Sequence, residues 1–203
     1  MKVKILVFDG CEELDALAPY EVLKSATSIA KADFEIELAT LHGQTEITAA
    51  HGLRLRVDTA LSLEEKLDIL VVPGGGWAKV DASVGTRAEV RRGEIPDAIA
   101  TLHRSGTLIA GVCTGAMLIA AAGLLKSRPG ITHAIALKDL AAQGTEIIRA
   151  RVVDDGDIIT SAGVTSGLEL ALWLIERYAG SHVAHRVETY LEYERRGTVW
   201  RRQ

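Results

Sequence analysis

Only two cysteines, Cys11 and Cys113, occur in the 203 residues. They form no C-x-x-C pair that would suggest a zinc site or a redox couple and make no disulfide framework, so both are expected as reduced thiols, with a Cys11–Cys113 redox pair left open. No apolar run approaches a membrane span, and the opening Met1 to Phe8 stretch is too short, and too soon broken by Asp9, for a signal peptide. A cytoplasmic protein with no membrane partner is therefore expected. The formal charge of −4 leaves no general basic footprint for nucleic acid. The cluster Arg195, Arg196, Arg201 and Arg202 is confined to the tail, where it is expected to be solvated. Nucleotide signatures are missing as well: Gly74-Gly75-Gly76 has neither G-x-G-x-x-G nor G-K-[ST] context. There is no internal repeat and no linker.

What is present suits one α/β domain. A 48% hydrophobic content lets a chain of this length bury roughly 70% of its unfolded surface. Aliphatic, β-branched runs recur at Val3 to Phe8, Phe34 to Thr40, Leu67 to Val72 and Thr107 to Val112, with helical patterns between several of them, which implies a mostly parallel sheet. Leu14, Leu17, Ala18, Val22 and Leu23 mark a helix just after the first strand, with Pro19 tolerable only near its start. Arg151 to Val153 and Ile158 to Thr160 flank Asp154-Asp155-Gly156-Asp157, the turn of a late β-hairpin. Helices over Ser166 to Tyr178 and Ser181 to Glu194 close the chain. The expected architecture is a single-domain, flavodoxin-like three-layer sandwich spanning residues 1–203.

Within it, Leu108 to Gly123 reads as an apolar strand, a glycine-flanked cysteine and an apolar helix. Gly111-Val112-Cys113-Thr114-Gly115 is the thiol counterpart of the G-x-S-x-G nucleophile elbow, in which a strained turn presents the central side chain. At a helix N-terminus the Cys113 pKa is expected to fall below about 8.5. The plainer reading makes Cys113 a small buried hydrophobe, but a core filler needs no flanking glycines. In parallel sheets ligands collect beyond the carboxyl ends of the strands. That address is shared by Asp9 to Asp15, by Pro73 to Trp77 and by Cys113 to Gly115. The glycine run, through Gly75, and Thr114 would offer backbone N–H groups to an oxyanion. Asp15 is equally readable as a cap for the helix that follows. His133 is either an orienting group near the thiol or a structural histidine. His182, His185 and Glu188 share a helical face as a metal-like set on an amphipathic, solvent-facing stretch.

Five stretches coincide with one family: Gly10-Cys11-Glu12-Glu13-Leu14-Asp15 with Pro19, Val72-Pro73-Gly74-Gly75-Gly76, Gly111-Val112-Cys113-Thr114-Gly115, Thr132-His133, and Ile159-Thr160-Ser161-Ala162-Gly163. From Met1 to about Tyr193 the chain resembles the ThiJ/PfpI superfamily, a class I glutamine amidotransferase-like domain. Asp157 to Leu170 and Tyr190 to Tyr193 look most like its isonitrile hydratase branch. The resemblance implies a homodimer with its site near the subunit interface, Cys113 as nucleophile and Asp15 as the first-loop carboxylate. Asp at this position is similar to the hydratase branch; the parkinsonism-associated protein and glyoxalase-like relatives carry Glu. Two departures stand out. Thr114 replaces the histidine of the peptidase branch, which removes a protease dyad. Ala134 replaces a tryptophan common in hydratase relatives, which bears on pocket size and substrate.

The leading expectation is a hydro-lyase without cofactor or metal, adding water to an isonitrile to give an N-formamide. Cys113 attacks, Asp15 acts as general acid and base, and Gly75 and Thr114 N–H groups stabilise charge. A glyoxalase or deglycase acting on small aldehydes is the rival enzyme. A redox sensor with an oxidisable Cys113, and Cys11 nearby, is the reading without turnover. A regulator with appended DNA-binding helices is disfavoured, because the chain reaches Gln203 with no room for them. Finally, Leu14, Leu17, Ala18, Tyr20, Val22, Leu23 and Ile29 spread around the first helix, more apolar surface than one core-facing stripe needs, and predict a second subunit there.

Overall fold

The aliphatic runs become strands because each alternates with a helix that covers it, and in the computed structural model, which describes residues 1–202, the sheet is eight-stranded. In chain order the elements are β1 (Lys2–Leu6), α1 (Glu13–Ala30), β2 (Glu35–Thr40), β3 (Glu46–Thr48), β4 (Arg54–Arg56), β5 (Thr59–Ala60) and β6 (Ile69–Val72). Next come α2 (Thr86–Arg92), α3 (Glu94–Arg104), β7 (Leu108–Gly111), α4 (Gly115–Ala121), β8 (Pro129–Gly130), a 3-10 turn at Ala134–Ala136, α5 (Leu137–Ala142) and β9 (Glu146–Ile147). The hairpin β10 (Val152–Asp154) and β11 (Ile158–Ser161), α6 (Ser166–Ala179), α7 (Ser181–Leu191) and β12 (Trp200–Arg201) complete the chain.

The sheet order is β12-β10-β11-β7-β6-β1-β2-β5. Only the β10–β11 pair is antiparallel; every other neighbour is parallel. α1, α6 and α7 pack against one another, and α2, α3 and α4 form a second group, which gives the flavodoxin-like three-layer sandwich. Strands covered on both faces must be apolar throughout: every residue of β6 and β7 is buried. Fully buried side chains such as Ile5, Leu6, Ile69, Leu70 and Ile109 each stabilise the fold by about 1.5–3 kcal/mol relative to exposure.

Four details depart from expectation. Pro19 sits inside α1 rather than at its start, where it lacks the N–H that would bond the Asp15 carbonyl; its ring packs near Gly167 of α6. A small β3–β4 hairpin, Glu46 to Arg56, is too short to leave a periodic signal. The arginine tail is not simply solvated: β12 pairs with β10, Arg195 binds Glu176 at 2.6 Å and Glu188 at 2.7 Å, and Arg202 Nε lies 2.8 Å from Asp155 Oδ1. Acidic partners remote in sequence draw it in. On α1, Ala16, Ala18, Val22, Leu23 and Ala26 are already covered within the chain, while Leu14 stays exposed. No helix among the described residues is long and apolar enough to cross a membrane.

Candidate active site

Cys113 occupies the turn between β7 and α4 with φ of +56°, the left-handed region that a side chain enters at a cost of about 1–3 kcal/mol. Tertiary contacts hold it there. Its N–H donates to the carbonyls of Ser161 and Ala162, both at 3.2 Å, and its own carbonyl accepts from Thr132 Oγ1 at 2.9 Å. Two residues on, a Cβ at Gly115 would lie 2.0 Å from the Val72 carbonyl oxygen. Only glycine lets α4 start so close to β6.

Asp15, the third residue of α1, has no exposed surface. Its Oδ2 accepts the Gly74 N–H at 3.0 Å, whereas Oδ1 is buried with no hydrogen bond of normal geometry. The Cys113 thiol stands beside this carboxyl. Burial pushes the Asp15 pKa up to about 7, against the pull of the Gly74 N–H. Burial first, and then the Asp15 charge, raise the Cys113 thiol above the ordinary range, while the Thr114 N–H pulls the other way. The expected fall in the thiol pKa is thus reversed. The seven-residue α4 supplies one favourable amide, which desolvation and a neighbouring carboxylate outweigh. Thiol and carboxyl form a coupled pair in which the thiol keeps its proton while the carboxyl titrates near neutrality.

The glycine run fits between the first loop and the elbow. Gly75 has φ of +125°, and a Cβ there would meet the Glu12 nitrogen at 2.4 Å. Its N–H donates to Thr114 Oγ1 at 2.9 Å, so this amide, expected to face an oxyanion, is already engaged. Thr114 Oγ1 in turn donates to Thr86 Oγ1 at 3.3 Å. The Thr114 N–H faces the thiol instead. Gly74 was visible in the sequence only as one of three glycines; its contact with Asp15 depends on the tertiary fold.

His133 caps the 3-10 turn: its Nδ1 accepts the Ile135 N–H at 3.1 Å, which places the proton of the neutral ring on Nε2. The ring rests on Gly163, and Thr132 ties this segment to the elbow. Ala134 is exposed. Cys11 is buried and unbridged to Cys113, with burial pushing its thiol up to about 11. His185 approaches Glu188 only to 4.0 Å, and His182 joins no metal-like cluster. The one set of three candidate ligand atoms among the described residues is Glu12, Glu13 and His51. An open cavity of about 620 Å3 lies at the same end of the sheet, lined by Gly10, Thr48, Ala49, Gly76, Lys79 and Val84 among others.

Residues 1–177 match the DJ-1/PfpI family. The chain belongs to that family. It is 31% identical over 193 residues to an isonitrile hydratase of Pseudomonas putida, a match covering 95% of this chain and 78% of the relative. It is also 31% identical over 164 residues to a deglycase of Thermococcus kodakarensis, covering 79% and 89% respectively. A crystal structure of a ThiJ/PfpI family protein from Pseudomonas syringae superposes with a TM-score of 0.82 at 27% identity, over 97% of this chain and 76% of that one. Membership of a family that includes a hydratase and deglycases supports an enzyme. Chemically, a buried thiol beside a carboxyl that titrates near neutrality suits addition to an electrophilic carbon with proton transfer through that carboxyl.

Proposed function

We propose that the protein is a cysteine-dependent hydratase converting an isonitrile into an N-formamide, with no cofactor or metal. The observation that carries this reading is Asp15, completely buried beside Cys113 with its pKa raised to about 7. A carboxyl at that pKa both gives and takes a proton at neutral pH. The Cys113 sulfur attacks the terminal isonitrile carbon as its proton passes to Asp15, and Asp15 delivers that proton to the same carbon, leaving a thioimidate. Water then adds to this carbon, giving one proton to Asp15 and the other to the nitrogen and leaving an alkoxide, whose collapse expels the sulfur, which takes the proton back from Asp15. The S–C bond breaks, releasing the N-formamide and restoring thiol and carboxylate. The Thr114 N–H stabilises charge on sulfur.

The test is turnover of an alkyl or aryl isonitrile by purified protein, with the N-formamide quantified by chromatography. Wild type is expected to turn over and Cys113→Ala to show none; undiminished turnover in the variant would overturn the mechanism. A second reading, addition of the same thiol to a small aldehyde, draws support from the match to a deglycase. Asp15 counts against it, its side chain being one methylene shorter than the Glu of glyoxalase-like relatives. Methylglyoxal assayed beside the isonitrile separates the two. We further propose a cytoplasmic homodimer that meets no nucleic acid and no membrane, with the partner covering the α1 surface around the exposed Leu14.

A further inference from the structure

Two cavities of about 620 Å3 open on the surface, and they differ in what lines them. The one beside the Asp154–Gly156 turn has its charges already paired, Arg177 with Asp154 at 3.2 Å and Arg202 with Asp155 at 2.8 Å. The one at the elbow's end of the sheet, between the β3–β4 hairpin and the loop after Gly76, is walled by Ala49, Ala50, Ala78, Ala82 and Val84 and carries two charged side chains, Asp9 and Lys79. Asp9 is engaged, its Oδ1 accepting the Thr48 N–H at 2.8 Å. Lys79 is exposed and pairs with no acid among the described residues.

The cavity adjoins the reacting pair through the glycine run. Gly76 lines it, and Gly74, two positions earlier and so within about 7 Å, donates its N–H to Asp15 at 3.0 Å. The Gly74 backbone also lies against Thr114, the neighbour of Cys113: a Cβ on Gly74 would meet Thr114 Oγ1 at 2.4 Å. A volume of about 620 Å3 falls in the range of about 300–1,000 Å3 that holds a drug-sized ligand. Ample room therefore remains beyond the carbon and nitrogen of an isonitrile group.

We propose that this cavity receives the substituent carried by the substrate, and that the substituent is a flexible aliphatic chain ending in a carboxylate, which pairs with Lys79. The inference rests on the proposed hydration of an isonitrile at Cys113 and narrows its substrate class. The alanine-rich wall offers apolar contact along the chain. An ammonium on a flexible stem suits a terminal carboxylate, whereas a substituent ending in an amine would meet Lys79 as a like charge and be turned away.

The probes are ω-isocyanohexanoate and its methyl ester, which share a chain length and differ in charge. Wild type is expected to favour the carboxylate in kcat/KM by about three- to fivefold, the upper range for one solvent-exposed ion pair. Lys79→Gln is expected to bring that ratio to about one, Lys79→Glu to invert it and Lys79→Arg to keep it. Ala82→Leu, which adds bulk to the wall, is expected to raise KM for both six-carbon substrates about tenfold relative to methyl isonitrile. Titration calorimetry with the matching N-formamide, ω-formamidohexanoate, reads the same site without turnover, and its Kd is expected to rise by the same factors in Lys79→Gln and in Ala82→Leu. Equal kcat/KM for carboxylate and ester in wild type, a ratio unmoved by Lys79→Gln, or an Ala82→Leu effect shared by methyl isonitrile would each overturn the proposal. Binding with the expected variant effects but no hydration would remove the hydratase reading and leave the carboxylate-binding cavity standing; hydration with no preference for the carboxylate would remove the cavity assignment alone.

Discussion

Asp15→Asn is expected to make the protein more stable at alkaline pH while disabling it. Asp15 is fully buried, and burial lifts its pKa to about 7, whereas an aspartate in the unfolded chain titrates near 3.9. Between those two values the folded state holds a proton that the unfolded state has lost. Raising the pH through this window therefore costs stability, with a slope of about 1.4 kcal/mol per pH unit. Three units give about 4 kcal/mol lost by pH 8, all of it attached to one carboxylate. Asparagine carries no such slope. It retains an oxygen to accept the Gly74 N–H, but its amide leaves a donor beside the thiol, at a penalty of about 1–3 kcal/mol if unpaired. The variant is thus expected to match or trail wild type in mild acid and to exceed it above neutrality. At this chain length each kcal/mol moves Tm by about 2–4 °C. Differential scanning calorimetry at several pH values reads the difference directly, and isonitrile turnover of the same samples is expected to fall by about 100-fold or more. A stability difference that does not grow with pH between about 4 and 7 would refute the buried, proton-holding carboxyl. Retained turnover would refute its role.

Three further outcomes are expected. Gly115→Ala places a methyl 2.0 Å from the Val72 carbonyl oxygen and will lower Tm and thiol reactivity together, as read by thermal melts and alkylation; an unchanged melt would show that the elbow tolerates the added atom. Deleting residues 199–203 removes β12 and the Arg202–Asp155 ion pair, so the variant will melt earlier, a loss checked by calorimetry; an unaltered Tm would return the tail to the solvent. Sedimentation at micromolar concentration is expected to give twice the monomer mass, in line with the prevalence of two-fold homodimers, and a monomer that stays fully active on dilution would refute the proposed assembly.

The parallel sheet, the late hairpin and the cysteine elbow were legible because each rests on local chemistry. Apolar strand runs, an acidic Asp154–Asp157 turn and glycines at fixed offsets from Cys113 act within a few residues of chain. The arginine tail was misread for the opposite reason: its partners Glu176, Glu188 and Asp155 are supplied by other elements, and nothing in Arg195 to Arg202 announces them. The β3–β4 hairpin, too short for periodicity, is held by Asp9, Gly10, Cys11 and Glu13, and its His51 contact spans 38 residues. The thiol pKa shows the division most sharply. A cysteine at a helix start argues for a low value from sequence, but desolvation and a carboxylate 98 positions earlier in the chain, 113 − 15, raise it. Sequence alone determined which residue types lie at the carboxyl ends of the strands, since periodicity and turn chemistry are local. Tertiary structure alone decided which amide Asp15 receives, that Gly75 is occupied by Thr114, and which of the two acids holds the proton, because burial and through-space charge are properties of the packed chain.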